Sequence, residues 1–301
     1  MAKRKLNLDI GGKITELESA MEKFKIKNIL YKTVFRGKGL EFDGYRVYTP
    51  DDDASTIDWK ASARSDRLLV KKFVEERDLK IIFLIDVSEN MVFGSTKKLK
   101  CEYAAELSAS LAHLIMGSND KIGFVFYNEG IRDAVINAKT GKKRFSHFIS
   151  KLSDVSLYGG SSNLQKTLDY LMKVLDDSVS AVIIISDFLK INKKLQNTLR
   201  LFSGRFETIG FRISDPLDKT LPNVKGEVVL EDPKTREQLI VDPSITRKQY
   251  EKNTKKKDRE IKKIFENSNA DLKEINTSKP FVPEIASFLK SRIEKGKSIT
   301  P

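Results

Sequence analysis

Three oxygen-bearing side chains follow one short apolar run of the chain. The run at residues 81–85 is rich in β-branched side chains and short enough for a buried strand, and Asp86, Ser88 and Asn90 come directly after it. An acid, a hydroxyl and an amide are therefore expected where the strand opens into a loop. Hard divalent cations such as magnesium prefer oxygen ligands, so this loop could form part of a metal site. A strand end capped by polar residues accounts for the same three residues equally well.

Strands and helices alternate from about residue 80 onward. Apolar runs predict the strands, and apolar stripes at helical spacing predict the helices. In chain order the predicted elements are strand 81–85, helix 99–114, strands 121–127 and 131–137, helices 145–152 and 164–175, strands 181–185 and 207–213, a hairpin of 226–230 and 238–241, strand 270–275 and helix 282–293. This alternation is typical of an α/β fold in which a doubly wound, mainly parallel sheet carries helices on both faces.

Two further loops offer oxygen atoms at the same edge of this sheet. Ligands of open parallel sheets bind beyond the carboxyl ends of the strands, near a switch in strand order. Asp187 follows the strand at 181–185, and the glycine-rich turn Gly159-Gly160-Ser161-Ser162 delivers hydroxyls just before a helix. A cap after a strand would explain Asp187 alone, but three such loops at one rim favour a ligand site.

These loops resemble the von Willebrand factor A domain and its metal-ion-dependent adhesion site, whose pattern is Asp-x-Ser-x-Ser, a distant Thr and a distant Asp. Asp86 and Ser88 match the first two ligands, and Asn90 stands where the second Ser is expected. Ser162 stands at the Thr position, and Asp187 matches the final Asp. The resemblance implies a divalent metal site, with magnesium as the ion, formed by Asp86, Ser88, Asn90, Ser162 and Asp187.

A block of motifs upstream narrows the family. Arg46-Val47-Tyr48, Asp52-Asp53, Ile57-Asp58-Trp59 and Ser62-Ala63-Arg64 follow one another at the spacing typical of the bacterial and archaeal domain-of-unknown-function-58 (DUF58) family, which the chain resembles from about residue 35 onward. The family usually shows Gly-Asp-Asp-x-Arg where this chain has residues 51–55, so the Gly and the Arg are missing. Trp59 is expected to pack, with Asp58 and Arg64 as a buried pair.

The domain boundaries follow from these motifs. Residues 1–78 are expected to form an N-terminal segment that carries the DUF58 block, and residues 79–296 a von Willebrand factor A-like domain. A β-hairpin is expected to be inserted in that domain at about 216–243, and residues 297–301 are a tail. Within the first segment, Ile14, Leu17, Met21 and Phe24 predict an amphipathic helix that docks on the body or on a neighbour.

Composition predicts a cytoplasmic protein. The 301 residues hold one cysteine, Cys101, so no disulfide can form within the chain, and neither a signal peptide nor a membrane span is recognisable.

The net charge of +13 invites a nucleic-acid hypothesis. Its densest patch, residues 247–263, is nevertheless better explained as a solvated helix, because no aromatic-rich binding motif accompanies it. Nucleic acid is therefore not the expected partner, and the role of this basic segment stays open.

The sequence does not show the residue patterns that catalysis would need. His113 and His147 are the only histidines, which disfavours a zinc site or a Ser-His-Asp triad, and no phosphate-binding Gly-rich loop is present. Cys101 has no evident activating base. Asp86 could act as a carboxylate nucleophile, but the second acid expected two residues on is replaced by Ser88.

The predicted function is that of a non-catalytic adaptor, which binds a protein partner through the metal site. The family resemblance implies a MoxR-type AAA+ ATPase as that partner and a client that the ATPase remodels or activates. Two alternatives remain open: a magnesium-dependent hydrolase or phosphotransferase that uses Asp86, and a scaffold that binds no metal.

Overall fold

The computed structural model describes residues 6–23, 41–49, 57–65, 67–74, 79–224, 226–231 and 237–294. The chain divides into two compact units, a smaller one of residues 36–78 and a larger one that contains the rest. The larger unit includes the N-terminal helix α1 (Ile10–Lys23), which the boundary drawn from the sequence at residue 78 groups with the upstream segment. Phe24, Asp52 and Asp53 lie outside the described residues.

The smaller unit holds two antiparallel strands, β1 (Glu41–Val47) and β2 (Leu69–Val74), and the short helix α2 (Trp59–Ser62). Asp58 is the N-cap of α2, since its carboxylate accepts hydrogen bonds from the amides of Lys60 and Ala61, both at 3.0 Å. Trp59 is 68% exposed, so the packing role expected for it is not observed among the described residues.

The larger unit is built on a six-stranded sheet. Its strands are β3 (Lys80–Asp86), β4 (Lys121–Tyr127), β5 (Ile131–Lys139), β6 (Ala181–Ser186), β7 (Glu207–Ser214) and β10 (Asp271–Asn276). Their order across the sheet is β10-β7-β6-β3-β4-β5. Only the edge strand β5 runs antiparallel to its neighbour. The predicted doubly wound, mainly parallel α/β fold is confirmed.

The central strands are buried on both faces. In β3 the side chains of Phe83 and Ile85 contribute to one apolar cluster, while Ile82 and Leu84 contribute to the other. Continuous apolar runs are therefore needed here, because alternate residues enter opposite cores. The first polar side chains can appear only where the strands end.

Helices cover each face of the sheet. One layer comprises α1, α3 (Lys100–Gly117), α4 (Lys142–Leu152) and α8 (Phe281–Glu294), and the other comprises α5 (Leu164–Val174), α6 (Lys193–Arg205) and α7 (Pro243–Glu266). Leu17 and Met21 of α1 are buried against the first layer, as the amphipathic pattern predicts. Helix α6 was not predicted, although Leu195, Leu199 and Phe202 form its buried stripe. No helix in the described ranges is long and apolar enough to cross a membrane.

A hairpin of β8 (Val228–Glu231) and β9 (Gln238–Val241) precedes helix α7, as the sequence predicts. Helix α7 starts at Pro243, and Asp242 caps it by accepting a 2.8 Å hydrogen bond from the amide of Ser244. Ile261, Ile264 and Phe265 bury one side of this helix in the second core. The basic segment is thus a surface helix with one apolar face.

A buried ion pair ties β7 to α8. The carboxylate of Glu207 binds the guanidinium of Arg292, which also binds Asp271. Burial raises the pKa of Glu207 to about 7, because Arg292 only partly offsets it and Asp271 adds repulsion.

This raised pKa predicts a pH-dependent stability. Between 4.5 and about 7 the folded chain binds the Glu207 proton more tightly than the unfolded chain does, so the free energy of unfolding should fall as the pH rises through this window. The contribution is up to about 3 kcal/mol. Urea unfolding at several pH values should show a smaller decline for Glu207→Gln than for wild type. The exposed Glu260→Gln is the matched control, and an equal decline in Glu207→Gln and wild type would contradict the assignment.

Candidate functional site

The candidate site lies where the strand order switches. Strands β3 and β6 are neighbours, but the chain runs from β3 towards β4 on one side and from β6 towards β7 on the other. A crevice forms at the carboxyl ends of two such strands. Asp86 is the last residue of β3, and Ser186 is the last residue of β6.

Asp86 is buried and held by hydrogen bonds from three residues. Its Oδ1 accepts from the amide of Ser88 at 2.9 Å. Its Oδ2 accepts from the hydroxyls of Ser162 at 2.9 Å and Ser186 at 2.7 Å. Asp86 and Ser162 come from separate loops, and the structure brings them into direct contact.

The hydroxyl of Ser88 is buried without a partner. Ser88 has no exposed surface, and its Oγ has no partner at good hydrogen-bond geometry in the described part of the chain, although it lies close enough to Asp86 to oppose the rise in the pKa of that carboxyl. Most buried polar side-chain atoms are paired, because an unpaired one costs about 1–3 kcal/mol. The phenolic oxygen of the buried Tyr127 also has no partner at good hydrogen-bond geometry among the described residues, although the hydroxyls of Ser186 and Ser162 lie close enough to oppose the rise in its pKa. Burial, followed by the charge of Asp86, raises the pKa of Tyr127, so Tyr127 stays neutral.

The two glycines before Ser162 let its loop approach the other strand ends. Gly159 and Gly160 have positive φ angles of 131° and 75°, which other residues rarely adopt. The amide of Gly159 donates to the carbonyl of Val87, and the carbonyl of Gly160 accepts from the amide of Glu89, both at 2.8 Å. A Cβ atom on Gly160 would lie 2.9 Å from Nδ2 of Asn128. The glycine pair therefore fastens the Ser162 loop onto the Asp86 loop.

Asp187 is paired with a buried lysine. Oδ2 of Asp187 lies 3.0 Å from Nζ of Lys100, and only 1% of the Lys100 side chain is exposed. Oδ1 accepts from the amide of Leu189 at 3.0 Å. The Lys100 ammonium also lies 3.3 Å from Oδ2 of Asp218. Asp187 is thus already neutralised from within the protein.

The electrostatics of the site are dominated by buried charge. Burial raises the pKa of Asp86, and the nearby charge of Asp187 raises it further. Burial alone would lower the pKa of Lys100, but Asp187 and Asp218 outweigh it and raise that pKa. Lys100 is therefore a fixed cation. Asp86 has no cationic partner among the described side chains that contact it.

Asn90 lies in the turn that follows Ser88. It lies half-buried in a 3₁₀ turn, Glu89–Met91, and takes no part in the hydrogen bonds around Asp86. Of the predicted ligands, the structure brings Asp86, Ser88 and Ser162 together. Asp187 is instead paired with Lys100. The described residues contain no group of three or more His, Cys, Asp or Glu side chains that could hold a metal ion, so any cation here would need the serine hydroxyls.

Two basic residues of the site were missed from the sequence. Lys100 is the first residue of α3, where the helix dipole disfavours a cation, and this local conflict was the available signal. Arg212 is buried, donates to the carbonyl oxygen of Asp187 at 3.2 Å and binds Asp258 of α7 at 2.7 Å. Arg212 is a single arginine within strand β7, and no local feature of the sequence indicates that it reaches the site.

Apart from Asp86, the residues considered for catalysis are Cys101, His113 and His147. Cys101 is buried, and burial raises the pKa of its thiol to about 12, which keeps it unreactive. Nε2 of His113 contacts Oε1 of Glu18 at 3.1 Å, and the ring of His147 packs edge-on against Phe124.

Comparison with known proteins decides the family. The sequence model of the family described as "Protein of unknown function DUF58" matches residues 44–260. The chain belongs to the DUF58 family. This DUF58 protein is 26% identical over 261 residues to uncharacterized proteins of Mycobacterium tuberculosis and Mycobacterium bovis, a match that covers 85% of this chain and 80% of each relative.

Solved structures of similar architecture also match. BatB from Bacteroides thetaiotaomicron matches with a TM-score of 0.47 and 11% identity, over 72% of this chain and 99% of that one. A von Willebrand factor type A protein from Catenulispora acidiphila matches with a TM-score of 0.37 and 12% identity, over 75% of this chain and 44% of that one.

Removing one partner of the Lys100–Asp187 pair should greatly lower the free energy of unfolding. Lys100→Met should lower the free energy of unfolding by about 3–5 kcal/mol, because it leaves buried carboxylates without their cation. The double variant Lys100→Met/Asp187→Asn should lose less. Urea unfolding measures both, with the exposed Lys97→Met as the control. A Lys100→Met variant as stable as that control would show that the pair does not carry this charge.

Proposed function

We propose that this DUF58 protein is a non-catalytic adaptor that captures an acidic side chain of a protein partner through a divalent cation, magnesium, at the carboxyl ends of β3 and β6. Asp86, Ser88 and Ser162 would hold the cation, with Asn90 beside them and Asp187 as the anchor of Lys100. When bound, the cation would supply a positive charge with coordination positions left open to a partner.

The observation that carries this proposal is the unpaired hydroxyl of Ser88 beside Asp86. Ser88 Oγ is buried without a described partner, and Asp86 is a buried carboxylate that only neutral groups contact. A hard cation would satisfy both, since it takes hydroxyl and carboxylate oxygens as ligands. The donor set therefore fits a magnesium ion.

The pairing of Lys100 with Asp187 favours a partner that presents a carboxylate to the cation. Because Lys100 already neutralises Asp187, Asp86 is the carboxylate of the predicted ligand set that is left for the cation to neutralise. A divalent ion held by one carboxylate and neutral hydroxyls keeps net positive charge. The carboxylate of a partner is the group that would complete such a shell.

The rim of the site also suits an acidic partner. A small open pocket beside the cluster is lined by Ser162, Ser186, Asp187 and Lys190, among others. Lys190 is exposed, and its ammonium donates to the hydroxyl of Ser161. A partner carboxylate that enters from this side would meet a cation before it reaches the metal.

We infer the partner from the family resemblance. It implies a MoxR-type AAA+ ATPase, with this chain linking the ATPase to a client protein. The two alternatives fit the geometry less well. Asp86 is 1% exposed and both of its oxygens accept hydrogen bonds, which disfavours its attack on a phosphoryl group. A metal-free scaffold would leave Ser88 unpaired.

The variant Ser88→Ala tests magnesium binding at this site specifically. Magnesium at about 100 times its Kd should raise the free energy of unfolding of wild type by about 2.7 kcal/mol. Ser88→Ala should lose this gain, yet without metal it should be as stable as wild type or more so, because it removes an unpaired buried hydroxyl. Thermal unfolding with and without magnesium measures both quantities.

The control for that test is Ser108→Ala, a buried serine on α3 whose hydroxyl donates to Ala104. It should keep the full magnesium response. A Ser88→Ala variant that still responds to magnesium, or a wild type that never does, would contradict the metal site.

Partner capture should depend on both the metal and the rim. Immobilised full-length chain should retain a MoxR-type ATPase from native lysate in magnesium and lose it in chelator. Lys190→Glu should weaken capture about tenfold, a change of about 1.4 kcal/mol, while leaving the magnesium response intact. Lys194→Glu, an exposed lysine in the first turn of α6, is the matched control. Capture that survives chelator and ignores Lys190→Glu would count against this use of the site.

A further inference from the structure

One side of helix α7 is a continuous band of positive charge. We call it the basic stripe and define it by the seven exposed basic residues of this helix, Lys248, Lys252, Lys255, Lys256, Arg259, Lys262 and Lys263. At 3.6 residues per turn these positions fall within an arc of about 120°, and at 1.5 Å per residue they span about 22 Å. The opposite side of the helix is anchored in the core by Ile261, Ile264 and Phe265. The stripe therefore faces outward in a fixed position.

The acids of α7 do little to neutralise the stripe. Asp258 binds Arg212 and Lys219, and Glu251 binds Arg247 and Thr220 on the inner side of the helix. Glu260 and Glu266 are its exposed acids. Glu266 pairs with Lys262 at a distance of 3.7 Å, and Glu260 lies 3.8 Å from Lys257. A strong positive field remains along the helix.

Aliphatic side chains are exposed at the N-terminal end of the stripe. Ile245 is 77% exposed and falls within the same arc as the basic residues. The hairpin that leads into the helix through Asp242 exposes Ile240 by 62% and its cross-strand partner Val229 by 57% on one face, and Leu239 by 62% on the other. Several large aliphatic side chains this exposed, close together in the chain, are unusual unless the surface has a partner.

We propose that the basic stripe and the exposed aliphatic residues beside it dock on the surface of an anionic lipid bilayer. Lysines attract the phosphates and carboxylates of anionic headgroups through their field, and aliphatic side chains next to them can enter the boundary with the acyl chains. This inference is independent of the metal site, which lies at the carboxyl ends of β3 and β6.

The composition of the surface distinguishes a bilayer from other acidic partners. Protein interfaces are enriched in aromatic residues and arginine and depleted in lysine, whereas six of the seven basic residues here are lysines. Single-stranded nucleic acid would be expected to stack on aromatic side chains, and the stripe contains none. A field of lysines bordered by aliphatic residues fits a lipid surface better than either.

The test is co-sedimentation of the full chain with vesicles. Phosphatidylcholine vesicles in which about a third of the lipid is phosphatidylserine should sediment the protein, pure phosphatidylcholine vesicles should not, and added salt should release it. The variant Lys248→Gln/Lys252→Gln/Lys255→Gln/Lys256→Gln should bind about a thousandfold more weakly. Ile245→Ser should also weaken binding, with the salt dependence unchanged.

The control removes the same charge elsewhere. Lys142→Gln/Lys143→Gln/Lys166→Gln/Lys173→Gln changes four exposed lysines outside α7 and should bind like wild type. Each variant should keep the wild-type unfolding temperature, since every changed side chain is exposed. Failure of the anionic vesicles to sediment wild type, or an equal loss in both lysine variants, would overturn the proposal. Stripe-dependent binding of an oligonucleotide without vesicle binding would overturn it in favour of nucleic acid.

Discussion

Two buried carboxylates at the edge of one sheet are the constraint on which the site depends. Asp86 and Asp187 are 1% and 2% exposed; Asp86 ends β3 and Asp187 follows β6, and both strands are buried on both faces. Carboxylates lose their hydration when they are buried, so each needs a compensating partner. The protein supplies a lysine for Asp187 and only neutral hydroxyl and amide groups for Asp86. This asymmetry distinguishes the site from a pair of ordinary strand caps.

The same constraint explains how distant elements come together. Lys100 brings the start of α3 to Asp187, and Arg212 links the carbonyl of Asp187 to Asp258 on α7. The Gly159-Gly160 turn fastens the Ser162 loop to the Asp86 loop through backbone hydrogen bonds. A site built in this way is rigid before any ligand arrives, which lowers the entropic cost of binding.

Much of this arrangement could be predicted from the sequence, because it depends on local patterns. Continuous apolar runs predict the central strands, and the polar residues that follow them predict which oxygen atoms meet at the switch point. Helix α6 was missed although its buried stripe has helical spacing. Lys100 and Arg212 could not be assigned to the site in this way, since their roles arise from pairings across 87 and 25 positions of the chain.

If Asp86 and Ser88 belong to a cation site, a crystal of the protein grown with manganese should show the ion there. Manganese takes the same oxygen ligands as magnesium and scatters anomalously, so its position can be read independently of the protein atoms. We expect an anomalous peak within coordination distance of Ser88 Oγ and beside Asp86, and we expect it to disappear in Ser88→Ala crystals. A wild-type crystal with no peak there, and with Ser88 Oγ still unpaired, would contradict it.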